Sequence, residues 1–409
     1  MAFLSLLDDR AKPKGSRDPL GFELIWSHFG RKVIGNLTTI TSSLDNFAVA
    51  VLGFAWANRL NQFIEEQERH KPIRETFLRY EQLTAYIRFY GNASDIMGIT
   101  RVKQRLLDDK FRITLGLGSK QQILSDQASY GLWGLYSTAA RDTQLVTGND
   151  RVLTELGESL SAAIEKRLGD TADTLLKLLQ SSKTLDREQL EKIAPVFKKA
   201  IHHHDVQQPL LEALMAGHDK SGLQQELWDV TKDIFKAKQR LPRNIPEFID
   251  RVLAKKPSQL LTQSLNDIME VERVLVAANN LFHYCRRKDG EKVDDILNTL
   301  SERYTYDYLP ASLPEDNFSR RDRLQLILQA FQQKEIESAL NEVLELNKEV
   351  MQQRSGAPWV EVESGNTFRV KVKSEKAELR TQQALESDWD YDYFLGSYLT
   401  IAQQQLGRH

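Results

Sequence analysis

The stretch from Ser129 to Ile164 constrains the fold more than any other part of this 409-residue chain. A short helical segment leads to Gln144-Leu145-Val146, a Gly148-Asn149-Asp150 turn, an extended Arg151-Val152-Leu153, and a Leu153-Thr154-Glu155-Leu156-Gly157 helix start. That order of elements is the pattern of a winged helix-turn-helix, and it points to docking on nucleic acid or on a protein partner.

Elsewhere the apolar spacing is helical. Pro19 to Gly35 places Phe22, Ile25, Trp26 and Phe29 on one stripe, and Ile73 to Gly91 does the same with Phe77, Tyr80, Leu83, Ile87 and Tyr90. Phe47 to Ala57 is apolar without a break, but at 11 residues it is about half of the ~20 needed to span a bilayer, so it reads as a buried helix. Asn92 to Gly118 reads as a connection with one short helix. Long helices are expected over Ser258 to Arg287, Arg320 to Gln353 and Asp388 to Leu406. Trp359 to Glu363 and Thr367 to Val372 alternate apolar and polar residues around Ser364-Gly365-Asn366, which predicts a β-hairpin over about 358–373. The fold class is therefore mainly α: helical domains with an embedded winged helix-turn-helix and a C-terminal β-hairpin. Four regions are expected: 1–118 helical, 119–168 winged, 169–310 helical, and 311–409 helical with the hairpin.

Charge excludes a globally cationic nucleic-acid binder, because 55 Lys and Arg stand against 57 Asp and Glu. Any contact with DNA must come from a local patch. The presumed recognition helix and wing offer Ser137, Thr138, Arg141, Asn149 and Arg151, with Lys120 upstream and further cations at Arg101, Lys103, Arg105, Lys110 and Arg112. A second basic run holds Lys236, Lys238, Arg240, Arg243, Lys255 and Lys256 between prolines. The single cysteine, Cys285, excludes an internal disulfide and reads as core packing in a cytoplasmic protein. No export or membrane segment is expected.

Catalytic templates fail. Leu115-Gly116-Leu117-Gly118-Ser119-Lys120 has the wrong spacing for a phosphate loop, and no nucleophile elbow occurs. His202-His203-His204-Asp205 and His218-Asp219 resemble metal ligands, and with His283 and Asp307 they suggest a metal-dependent phosphohydrolase as the less favoured alternative. Adjacent histidines on a helix point about 100° apart, so at most two of the three can face one ion. No cofactor is implied.

Four motifs carry a resemblance: Leu37-Thr38-Thr39-Ile40-Thr41, Leu78 to Leu83, Gly131-Leu132-Trp133-Gly134-Leu135-Tyr136, and Tyr391 to Tyr398. Together they resemble a group of uncharacterised bacterial helical proteins encoded beside restriction or phage-defence genes. The resemblance implies a non-enzymatic subunit in a DNA-directed defence complex and implies no site residues. The expected function is a non-catalytic interaction or scaffold subunit with protein partners and double-stranded DNA within reach; the alternative is a direct DNA-binding winged-helix regulator.

Overall fold

A computed structural model describes residues 17–107, 113–181, 184–218, 220–237, 241–242, 244–374 and 379–406. The chain is mainly helical, with three small antiparallel strand pairs among the described residues. In chain order the first elements are α1 (Glu23–Val33), α2 (Leu44–Leu60), α3 (Glu66–Tyr90), α4 (Ile99–Leu106), β1 (Ile113–Thr114), α5 (Gln127–Tyr130), α6 (Leu132–Leu135), α7 (Ser137–Asp142), β2 (Val146–Thr147), β3 (Val152–Leu153) and α8 (Glu155–Leu168). Then come α9 (Asp170–Ser181), β4 (Thr184–Leu185), α10 (Arg187–Ile201), α11 (His204–Ala216), α12 (Leu223–Lys236) and α13 (Ile245–Ala254). The chain closes with α14 (Gln259–Cys285), α15 (Val293–Arg303), α16 (Arg321–Gln332), α17 (Ile336–Gln353), β5 (Val360–Val362), β6 (Phe368–Val370), α18 (Gln382–Ser387) and α19 (Leu395–Leu406).

Two compact units divide this chain: Met1–Val33 with Lys256–Tyr393, and Ile34–Lys255 with Phe394–His409. The regions 119–168 and most of 169–310 expected from sequence thus contribute to units assembled from distant segments.

In the second unit α2 is the centre, and its apolar run explains why. Phe47, Val49, Val51, Leu52, Phe54 and Trp56 are all fully buried, as a helix apolar on every side must be. It packs on α3, α8 and α11. Gly53 lets α2 approach α3, since a Cβ there would collide with the Tyr80 ring, and the Tyr80 hydroxyl donates to the Val49 carbonyl at 2.9 Å. The helix α3 begins seven residues before the sequence pattern does. Pro72 masks that start, yet Glu66 and Glu68 suit a helix N-terminus and the first turns are exposed. Asp186 and Gln189 form a capping box at the start of α10.

In the first unit α14 runs for 27 residues and packs against α1 and α17. Trp26 of α1 stacks on Tyr391 with ring centroids 5.9 Å apart. Cys285 is buried and burial pushes its thiol up to about 12, so it packs and does not react. The hairpin forms where expected, with Val360 opposite Val370 and Val362 opposite Phe368, and Asn366 takes the left-handed turn conformation.

Two expectations are corrected. The helix predicted over Arg320 to Gln353 is two helices, because Lys334 adopts φ +62° and its amide bonds back to the Phe331 carbonyl at 3.0 Å. The terminal helix begins at Leu395 and not at Asp388. The segment before it is non-helical: Tyr393 and Phe394 turn at positive φ (50° and 63°), and the Glu272 carboxylate accepts the amides of Asp390 at 2.5 Å and Tyr391 at 3.1 Å, and the Tyr393 hydroxyl at 2.7 Å.

Candidate functional site

The candidate site is the hairpin element between α7 and α8. Gln144, Gly148 and Arg151 all have positive φ (57°, 67° and 53°), so the chain reverses tightly enough to pair Val146 with Leu153 and Thr147 with Val152. Thr154 then caps α8, accepting the Gly157 amide at 3.3 Å. Gly157 is required by contact, since a Cβ would run into the Leu145 carbonyl oxygen. The hairpin is fastened to α2 through Asn58, whose amide donates to the Asp150 carbonyl at 3.0 Å.

Beneath the hairpin lies Trp133. Its ring is flanked by Phe77 at 5.3 Å and Phe54 at 6.0 Å, and the Arg151 guanidinium sits over its face, 3.8 Å from the centroid. Arg151 Nε donates to Ser137 Oγ at 2.9 Å, and one terminal nitrogen donates to the Asn149 carbonyl. Burial, then the neighbouring Arg141 and, more weakly, Arg74 push this guanidinium down to about 10, against the pull of Asp150. It still carries its charge at neutral pH. Asp150 is engaged elsewhere, 2.8 Å from His70 Nδ1.

Arg151 thus lies on the aromatic platform, and Arg141 and Arg74 are near enough to act on its charge. Among the described residues Arg74, Arg141 and Arg151 form no ion pair, although Arg141 donates a long hydrogen bond to Thr138 at 3.4 Å. Unneutralised guanidinium groups that act on one another raise one another's electrostatic energy, and an external anion relieves it.

Not every expected contact belongs to this cluster. Thr138, Arg141 and Asn149 are exposed and available. Ser137 is not: it is 2% exposed, and its hydroxyl serves Trp133 and Arg151 inside the element. Lys120 is exposed on a separate loop, anchored through Gly116 by Gln82 of α3. Arg105 is consumed by the Gln121 and Gln122 carbonyls, at 2.7 and 2.8 Å, and by the Tyr86 hydroxyl. Arg101 donates to the same Gln122 carbonyl. Lys110 and Arg112 lie outside the described residues.

Of the second basic run, Lys236 pairs with Asp233 at 3.6 Å, Lys255 caps α13, and Lys256 belongs to the other unit. Lys238, Arg240 and Arg243 lie outside the described residues.

The histidine group straddles the junction of two helices: His202 ends α10 with its Nε2 2.6 Å from Asp45, His203 accepts the Asp205 amide as the cap of α11, and His204 is exposed. Asp219 lies outside the described residues. No group of three His, Cys, Asp or Glu side chains among the described residues is placed to hold a metal ion.

Sequence reading missed His70, which reaches the hairpin from α3 through Asp150, and Arg74 of α3, whose charge acts on Arg151. Their signal was the run Arg69-His70-Lys71 followed by Arg74, a cationic patch at helical spacing on the exposed start of α3. The Glu81 carboxylate holds the platform from below. It accepts the Leu132 amide at 2.7 Å and Gln127 Nε2 at 2.9 Å, and burial pushes it up to about 7. No protein-family model, curated protein or solved structure matches this chain, so the arrangement of its own residues carries the functional reading.

Proposed function

We propose that this chain is a non-catalytic interaction subunit of a bacterial, cytoplasmic, DNA-directed defence complex, and that its hairpin element acts as a winged helix meeting the DNA backbone. The observation that carries the reading is the Arg151 guanidinium over Trp133 at the hairpin, with Arg141 and Arg74 acting on its charge and none of the three in an ion pair among the described residues. Thr138 and Asn149 stand beside them as neutral donors to phosphate oxygens or base edges.

Three arginines neutralising about three phosphates give a log–log salt slope near −3 for duplex DNA, on the rule of about −0.9 per phosphate. The test is fluorescence anisotropy of a labelled duplex across a salt series, with wild type and an Arg74→Ala/Arg141→Ala double variant. Both substitutions sit on exposed or half-exposed helical positions, so the fold persists. The expected result is a slope near −3 that falls toward −1 in the variant. Absent binding, or binding with no salt dependence, refutes the reading. Purification from native extract with and without nuclease then separates a subunit, which keeps a protein partner after nuclease, from an autonomous DNA-binding regulator, which does not.

A further inference from the structure

The second unit contains another polar site, a cavity of about 260 Å³ bounded by the Gly91–Asp95 loop after α3, by Phe197, Lys198 and Ile201 of α10, and by Asp45, Arg88 and His202. At about 30 Å³ per water molecule it has room for roughly nine, which is the scale of a small metabolite.

Counting donors and acceptors shows what the cavity lacks. Asp45 is engaged by His202 at 2.6 Å and by Gln207 at 3.4 Å. Asp95 accepts from Arg88 at 2.8 Å and from the Ser43 hydroxyl, and Arg88 also donates to Asn46 at 2.6 Å. Both carboxylates of the wall are therefore spoken for. The donors are not. Arg88 is only 6% exposed, yet its Nε–H is buried and reaches no acceptor. The Ser94 and Asp95 amides donate to no described protein group, and the Lys198 ammonium meets only the Gly91 carbonyl, at 3.2 Å. The orphaned acceptor in this region, Gln207 Oε1, is not part of the wall. A wall with spare donors and satisfied acceptors fits an anionic ligand.

Charge selects among anions. Arg88 and Lys198 balance Asp45 and Asp95, so these four side chains carry no net formal charge. A monoanion departs from that balance by one charge, and a phosphate dianion by two. Ala194, Phe197 and Ile201, each buried, supply an apolar floor. We propose that this cavity binds a small organic carboxylate, with its oxygens toward Lys198 and the Ser94 and Asp95 amides and its carbon skeleton on Phe197 and Ile201.

The test is isothermal titration calorimetry of the full chain with benzoate, alongside benzyl alcohol, which keeps the ring and lacks the charge, and phenyl phosphate, which carries more charge. Benzoate is expected to bind saturably, phenyl phosphate more weakly, and benzyl alcohol not at all. Lys198 is exposed and Ala93 half-buried on a loop, so Lys198→Met and Ala93→Trp retain the thermal transition of the wild type. The first removes a charged hydrogen bond and weakens benzoate by roughly tenfold, and the second closes the mouth and abolishes binding. Arg141→Ala, at the arginine cluster, leaves benzoate unchanged. Failure of benzoate to bind, equal binding of benzyl alcohol, unchanged affinity in Lys198→Met, or loss of binding in Arg141→Ala each overturns the proposal.

Discussion

Replacing Glu81 with glutamine tests whether burial or hydrogen bonding dominates beneath the Trp133 platform. Glu81 is 2% exposed and is pushed from 4.5 to about 7 by burial, which outweighs the hydrogen bonds from Leu132 and Gln127 that favour its charged form. The unfolded chain loses this proton near pH 4.5 while the folded chain keeps it to about pH 7. Within that window the native state binds more protons, so its stability falls as pH rises, is complete below the lower value, and levels off above the upper one. At about 1.36 kcal/mol per tenfold change in proton affinity, the interval from 4.5 to about 7 corresponds to about 3 kcal/mol. Glu81→Gln does not titrate. The stability difference between variant and wild type therefore moves in the variant's favour by about 3 kcal/mol between roughly pH 4.5 and pH 7.5. For a unit of this size that is a relative displacement of roughly 6–12 °C in melting temperature, at about 2–4 °C per kcal/mol. The assay is urea and thermal unfolding of both proteins followed by circular dichroism across this range. A Glu81→Gln variant that is less stable by the same margin at every pH refutes the reasoning, because the hydrogen bonds, and not desolvation, would then control the carboxyl.

Three further outcomes follow from single contacts. Glu272→Ala removes the acceptor shared by the Asp390 and Tyr391 amides and the Tyr393 hydroxyl and costs about 2–4 kcal/mol; faster hydrogen exchange at those two amides, against an unchanged α3, is the expected readout. Gly157→Ala drives a methyl group into the Leu145 carbonyl and destabilises the hairpin element by about 1–3 kcal/mol, seen as changed Trp133 fluorescence before global unfolding. Lys334→Gly relieves a left-handed lysine between α16 and α17 and raises stability by about 0.5–1 kcal/mol, measured as an increased urea midpoint at constant slope.

Much of the helical architecture was readable where the apolar period was undisturbed. The long α14 matches its predicted span within two residues at each end, because its apolar positions recur without proline or glycine. Errors came where local signals competed with tertiary contacts. Pro72 concealed the start of α3, and Lys334, a residue with ordinary helix propensity, gave no warning of the break between α16 and α17. Trp389 and Tyr393 sit four residues apart, as on a helix, but a buried glutamate more than a hundred residues upstream binds this backbone and Tyr393 and Phe394 turn left-handed.

The candidate site divides in the same way. Arg141, Asn149 and Arg151 stood out because a turn with Gly148 and a capped helix start mark their neighbourhood, and such signals are local. Arg74 did not, since nothing in its own helix says which distant surface it faces. Ser137 showed the converse: its residue type suited a phosphate contact, but packing against Trp133 turned it inward.

The sequence by itself therefore determined the helical class, the β5–β6 hairpin and the reversal at Gly148, because periodicity, turn residues and caps act over a few residues. Only the tertiary structure decided which cations share a face, which carboxylates are already paired, and which donors are left over. Those properties depend on side chains brought together across tens to hundreds of residues, where burial and electrostatics, rather than local propensity, set the outcome.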